Sequence, residues 1–327
     1  MVHISIDTLT EVTLIVLEKQ GYPTDEAQTI LEVLLYAQLR GNNQGIVKLI
    51  GAGMPRDPNC TPMRIVRETK LSALIDGGRH AGMVAMRHAL DVAIGKARDH
   101  GFAIVGTHNT NTSTGAIGYY AQVAAQTGMI GVVFAGSGEY VAMHGSYQPM
   151  LGTNPLAIAI PTGGRPVVFD MATSAIARFG IVEAKASGRP IPADVAYDSH
   201  GNPTTDAAAA LTGAIRTFGG YKGAGLSFIV EILTGALVET SRTEDGHKLD
   251  WGTLSMVIDP ELLTDRGSFE NRVGELIARV KNSLRLPDVD DILIPGERGN
   301  RILEKIIRED EIEIDDALWE ALVKQTA

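Results

Sequence analysis

Between residues 71 and 259 the chain sets down six short apolar runs, spaced by helical patterns and glycine-rich turns. They are LSALID (71–76), FAIVGT (102–107), IGVVFA (130–135), PLAIAIP (155–161), VVFD (167–170) and LSMVID (254–259). Runs this short, bounded by Gly, Pro, Asn and Asp, read as buried strands. Met83, Met86, Leu90, Ile94 and Ala97 repeat at helical spacing up to Gly101. Further helical patterns run from about 115 to 127 and from about 223 to 238. Strands and helices mixed in this way predict a central α/β domain.

Both ends of the chain read as helical. Thr8 and Glu11 have capping-box spacing, and Leu9, Val12 and Val16 then recur at helical intervals until Gly21. A second helix starts near Thr24, with Asp25 and Glu26 in the turn where the helix dipole favours acids. Ala27, Ile30, Leu31 and Leu34 form its inner stripe, and Gly41 ends it. Residues 265–327 read as helical again, and the acid run from Glu309 to Asp316 reads as a solvated face and helix cap. The expected organisation is therefore residues 1–70 together with 262–327 as one helical unit, and 71–261 as the α/β unit.

A net charge of −10 argues against nucleic acid or an anionic membrane as the main partner. No stretch approaches the roughly 20 apolar residues of a membrane span, and the N-terminus lacks a basic segment followed by an apolar run. The single cysteine, Cys60, lies between Pro58 and Pro62 with no histidine nearby, which excludes an internal disulfide and disfavours a nucleophile. A cytoplasmic protein is expected. No H-x-H or H-E-x-x-H spacing occurs, so no metal is expected.

The run GIVKLIGAGMPRDP (45–58) starts like a dinucleotide-binding strand and turn. It fails that test. A third glycine and an immediate helix are required, whereas three prolines occur by Pro62, and none can sit in a helix interior. The denser signals lie later. LGTNPLAIAIPTGG joins a polar turn to a buried strand, and FDMATS (169–174) places Asp170 at a strand end. GGYKGAGL (219–226) puts Lys222 in a glycine loop at a helix start, which is a general anion site.

Taken with TGAIGYYAQVAAQTG (114–128), GRPIPADVAYDSHGNPTTD (188–206) and ILIPGER (292–298), these segments resemble the type-2 malate/L-lactate dehydrogenase family, in the same order along nearly the whole chain. The resemblance implies an oxidoreductase that uses NAD or NADP. Its cofactor domain would be non-Rossmann, with a mixed, largely central sheet flanked by helices, beside a helical domain built from both chain ends. It also implies a homodimer and a small carboxylate substrate. The cofactor would lie along Ser137, Met171, Ala172, Thr173, Ser174, Lys222 and Gly223, with Gly296 and Glu297 nearby. Asn154 and Asp170 would orient these loops.

The departures bear on the chemistry. Members usually carry Ser-His-Gly after the second helix and an arginine three residues beyond that glycine. Here Asn43, Gln44 and Lys48 stand at those positions. Members also usually carry a histidine in the segment before the tyrosine-containing helix, where this chain has Ser113. By resemblance, then, the 45–58 stretch lines the substrate site, with Lys48 anchoring a carboxylate and Gln44 and Ser113 facing the reacting centre. Glutamine cannot titrate, and reducing a ketone needs a proton donor titrating near neutral pH. An iminium is already protonated, which tilts the expectation toward a C=N substrate. His144 is the first candidate to replace the missing histidines, ahead of His108 and His80. The rival reading is a nucleotide-binding sensor or scaffold that has lost proton chemistry. The segment between Leu237 and Leu254 is also shorter than the family leads one to expect.

Overall fold

A computed structural model describes every residue except Asp245, Leu249 and Ala327, and all side chains of the rest but that of Ala186. In chain order the elements are β1 (Val2–Ser5), α1 (Ile6–Lys19), α2 (Thr24–Gln38), a 3-10 turn (Ile46–Leu49), β2 (Arg64–Glu68), β3 (Ser72–Asp76), α3 (Gly82–His100), β4 (Phe102–His108), α4 (Gly118–Gln126) and β5 (Ile130–Ala135). There follow β6 (Val141–Ala142), β7 (Pro149–Leu151), β8 (Leu156–Ile160), β9 (Val167–Met171), α5 (Arg178–Ala186), β10 (Ala196–Tyr197), α6 (Ala207–Thr212) and β11 (Ala214–Ile215). The chain ends with α7 (Tyr221–Glu231) and its π-helical continuation (Ile232–Ala236), β12 (Thr253–Ile258), α8 (Arg266–Lys281), α9 (Glu297–Glu309), β13 (Glu311–Ile314) and α10 (Asp316–Lys324).

All six apolar runs are strands of one seven-stranded mixed sheet, in the order β2-β3-β4-β12-β5-β8-β9. Only β3 and β4 run parallel; every other neighbouring pair is antiparallel. The seventh strand, β2, is exposed along its whole length, and its charged RIVRE sequence suits a sheet edge. Helix α4 lies directly on β5. A Cβ on Gly131 would come within 2.8 Å of Ala124 Cβ and of Ala121 O, so only glycine allows this approach. On the opposite face, a Cβ on Gly106 would meet Val238, just beyond the π-helical segment.

The two chain ends meet. β1 pairs antiparallel with β13, Val2 opposite Ile314 and Ser5 opposite Glu311. The acid run is therefore partly strand. Ile312 and Ile314 are buried between exposed Glu311 and Glu313, the period-2 pattern of a strand with one solvated face. Asp315 then caps α10, accepting from Leu318 N–H at 3.2 Å. The first helix also starts earlier than its capping-box residues suggested: Ser5 is the cap, accepting from Thr8 N–H at 3.1 Å.

A second hydrophobic core forms inside the central segment. Val141, Leu151, Ile181, Ala184, Ile191 and Ile215 cluster apart from the main core. They belong to a four-stranded sheet, β10-β11-β6-β7, with α5 and α6 against it. Its short strands of two or three residues left too little periodicity to be read from sequence. This lobe forms one wall of the cleft described next.

Candidate active site

The cleft lies where three parts of the chain converge: the turn after α2, the loop before α4, and the small lobe. It has a volume of about 510 Å³, within the ordinary range for small-molecule sites. Gln44, Lys48, Ser113, Ser137, Asp170, Met171 and Ala172 all line it, so seven residues drawn from four sequence segments come together. A second cleft of about 700 Å³ adjoins it and shares Asn42, Asn43 and Asp170. Gly296 lines that second cleft.

Lys48 sits in the 3-10 turn between Ile46 and Leu49, both fully buried. Those two side chains anchor the turn in the main core and hold Lys48 inward at 3% exposure. Its Nζ donates to Ser113 Oγ at 3.0 Å and lies 3.9 Å from the Phe179 ring centroid. No carboxylate among the described residues pairs with it. Burial pushes its amine down to about 7, because an unpaired charge in a low-dielectric site favours its neutral form. Ser113 Oγ accepts a second bond, from Gly115 N–H at 3.1 Å. Among the described residues the Gln44 amide bonds Asn43 Oδ1, at 3.4 Å, and Gln44 lines the cleft.

Asp170, at the end of β9, accepts from Gly118 N–H at 2.8 Å, at the start of α4. It lines both clefts, so its exposed surface is cleft surface. Protein crowds the carboxyl itself. That crowding pushes it up to about 6, against the opposing hydrogen bond from Gly118.

Several expected residues lie outside the lining. Asn154 is fully buried at a backbone φ of +42°, and its amide donates to Ser227 O and Glu231 Oε2, both at 3.0 Å. It ties the Gly152–Pro155 turn to α7 rather than facing a ligand. Glu231 is shared with Lys248 (2.8 Å) and Arg242 (3.3 Å), an ion cluster under the same helix. Thr173 turns inward, donating Oγ1–H to Thr153 O at 3.0 Å. Glu297 is engaged by Lys281 at 2.6 Å and Arg301 at 2.8 Å. His144 is exposed between β6 and β7, beside Gly220 rather than in the cleft. His108 binds Val238 O at 2.7 Å, and His80 pairs with Glu26 at 3.1 Å. None of the three histidines lines the cleft with Lys48.

The glycine loop is nevertheless pinned to the FDMATS segment. Phe218 N–H donates to Thr173 O at 3.0 Å, and Ser174 bridges Thr217. Lys222 is exposed in the first turn of α7, whose cap, Gly220, has φ +60°. A Cβ on Gly223 would stand 1.8 Å from Phe218 O, so the loop closes only over glycine. Ser174 Oγ is buried without a partner. Ser174, Lys222 and Gly223 line neither cleft, but an unsatisfied hydroxyl, a helix N-terminus and a lysine on a loop bonded to the FDMATS segment fit a phosphate-bearing cofactor. The sequence reading missed Arg178 and Phe179. Arg178, the first residue of α5, lines the cleft with its guanidinium 3.8 Å above the Tyr140 ring. A signal was present: an arginine four residues after FDMATS, at a helix start.

The comparisons with known proteins agree with this architecture. The sequence profile of the malate/L-lactate dehydrogenase family matches residues 4–323. L-sulfolactate dehydrogenase of Methanothermobacter thermautotrophicus is 38% identical over 323 residues, covering 94% of this chain and 92% of that protein. Delta(1)-pyrroline-2-carboxylate reductase of Pseudomonas fluorescens is 32% identical over 305 residues, covering 88% and 90%. The solved sulfolactate dehydrogenase of Methanocaldococcus jannaschii superposes with a TM-score of 0.82 at 33% identity, covering 99% and 96% of the two chains. The chain thus belongs to the malate/L-lactate dehydrogenase family, as an NAD(P)-dependent dehydrogenase or reductase.

Proposed function

We propose that the cleft interconverts a small carboxylate substrate, a 2-oxo/2-hydroxy acid pair or a cyclic imine carrying a carboxylate, with NADH or NADPH as redox partner. The observation that carries this reading is the pair of uncompensated cations, Lys48 and Arg178, lining one cleft. An anionic guest is stabilised there, because no described carboxylate pairs with either charge. The sulfolactate and pyrroline-carboxylate relatives act, by their names, on small carboxylates, which agrees.

In this reading the bound cofactor supplies the hydride, and the chain supplies orientation. Arg178 clamps the carboxylate. Its planar fork can take both oxygens, and the Tyr140 ring 3.8 Å below it restrains its position. The carboxylate role moves from Lys48 to Arg178 because the Lys48 amine is already turned to Ser113. Gln44 donates to the reacting oxygen or nitrogen. Ser137, Met171 and Ala172 form the cofactor wall, Lys222 and Gly223 take phosphate at the α7 start, and Gly296 lines the adjoining cleft.

A homodimer is supported by the apolar stripe Tyr221, Phe228, Ile229 and Ile232, exposed along α7 and its continuation. The division into a unit of both ends and a central α/β unit is supported by the β1–β13 pairing. The single cysteine fits a reducing, cytoplasmic setting. Titrating NADH and NADPH by nicotinamide fluorescence, then adding 2-oxo acids and cyclic imino acids, tests the reading. Binding with turnover supports it. Binding of neither cofactor defeats it.

A further inference from the structure

We infer that Lys48 is the acid–base group of the reaction, giving its Nζ proton to the substrate's carbonyl oxygen, with Ser113 as the positioning residue that aims it. This rests on the reductase reading above and names the proton source that reading leaves open.

The geometry carries the inference. A ketone reduced to an alcohol needs a proton at oxygen as hydride reaches carbon. The cleft holds no histidine. Its titratable and charged side chains are Lys48, Asp170, Arg178 and Tyr140. Arg178 cannot release a proton at accessible pH. The Tyr140 ring lies under the Arg178 guanidinium, 3.8 Å from centroid to Cζ. Asp170 accepts a bond from Gly118 N–H at the far end of β9. Lys48 alone is buried, unpaired with any carboxylate and held by a single neutral hydrogen bond at 3.0 Å. An ammonium carries three N–H groups. One goes to Ser113, the Phe179 ring centroid lies 3.9 Å away, and Lys48 lines the cleft, which leaves N–H groups for a bound substrate. The two Ser113 lone pairs are taken by Lys48 and Gly115 N–H, which keeps its oxygen as an acceptor toward the amine. No charged group of α1, α2 or α10, the helices packed on the Lys48 turn, pairs with the amine. Burial places the amine near neutrality, where an acid and its conjugate base are both populated.

The balance is complete. As the carbonyl carbon gains hydride from the dihydronicotinamide, the C=O π pair moves to oxygen. That oxygen takes one proton from the Lys48 ammonium, and the amine is left neutral and still bonded to Ser113. Water reprotonates it after the alcohol leaves. The reverse direction uses the neutral amine as base. A cyclic iminium enters protonated and does not require this step, so one site serves both substrate types with unequal dependence on Lys48.

The test uses the whole protein labelled with ¹³C at lysine Cε. The Lys48 resonance, assigned by its loss in Lys48→Arg, is expected to titrate near pH 7. Lys48→Met and Lys48→Arg are expected to lower kcat for 2-oxo acids roughly 10²- to 10⁴-fold and to abolish the pH limb near 7. Cyclic imine turnover should fall less than about tenfold. Ser113→Ala should lower kcat while leaving KM and cofactor affinity within about threefold. A Lys48 resonance titrating near 10, or a Lys48→Arg enzyme that keeps the same pH limb, overturns the inference. Failure of the function reading shows separately, as wild-type protein that binds neither nicotinamide cofactor.

Discussion

Replacing Lys48 by methionine should make the protein more stable, and the gain should fade as pH rises. The amine has an ordinary value of 10.5 and is pushed down to about 7 by burial in the folded chain. Between those values the unfolded chain binds more protons than the folded one, so stability rises with pH across the window. Below pH 7 the penalty of holding the buried charge is fully present. Lowering the amine to about 7 corresponds to about 4–5 kcal/mol at pH 6 and about 2 kcal/mol at pH 9. Methionine has nearly the same length and no charge. It forfeits the Ser113 hydrogen bond, which offsets about 1–2 kcal/mol. The expected net gain is therefore about 2–4 kcal/mol near pH 6, vanishing near pH 9. Urea unfolding of both proteins followed by circular dichroism at pH 6, 7, 8 and 9 measures it, with an unchanged m-value required for the comparison. A variant less stable than wild type at pH 6, or a difference that stays constant across the series, would refute the claim that Lys48 is buried without a compensating anion.

Three further outcomes follow from the same geometry. Arg178→Ala should raise KM for a carboxylate substrate about 10- to 100-fold and change kcat less than about threefold, since a clamp acts on ground and transition states alike; steady-state kinetics decide this. Lys222→Ala should weaken NADH or NADPH binding about tenfold in a fluorescence titration, the usual worth of one charge-assisted hydrogen bond to a phosphate. Gly223→Ala should cost about 2–4 kcal/mol and weaken cofactor binding together, because its Cβ cannot stand 1.8 Å from Phe218 O without moving the loop; calorimetry with and without cofactor separates the two effects.

The central sheet was legible because each of its six apolar runs is short and bounded by turn residues. The seventh strand, β2, was not, because an exposed edge strand need carry no hydrophobic signature, and RIVRE carries little. The EIEI pattern of β13 was readable as a strand, but it was masked by the acids on either side. The small lobe was invisible for a different reason. Its strands are two or three residues long, and its core is assembled from segments as distant as Val141 and Ile215. In the site, residues from motifs distant in sequence share one cleft, with Met171 and Ala172 in its lining beside Gln44 and Ser113. What failed was the choice among histidines. Chain position put His144 near the Gly152–Asn154 turn, but the β6–β7 hairpin carries it outward, and no local pattern encodes that direction. Arg178 was missed because its place in the cleft depends on how the small lobe folds against it.

The departures from the family pattern gain a common physical reason once Lys48 and Arg178 are seen in one cleft. An arginine at position 48 would hold a carboxylate but could never yield a proton. With glutamine at 44 and serine at 113, such a chain would have no acid in the cleft titrating near neutrality other than Asp170, which faces Gly118. Lysine at 48 changes this only because Ile46 and Leu49 bury the turn that carries it; on an exposed turn the same lysine would remain a permanent cation. Serine at 113 then fits better than a bulky ring, since it leaves room for the amine and bonds it at 3.0 Å. The two tasks of the site thereby divide between two cations of different kind. The one that must stay charged is a guanidinium stacked on an aromatic ring at the mouth of a helix, and the one that must change charge is an amine sunk into the main core.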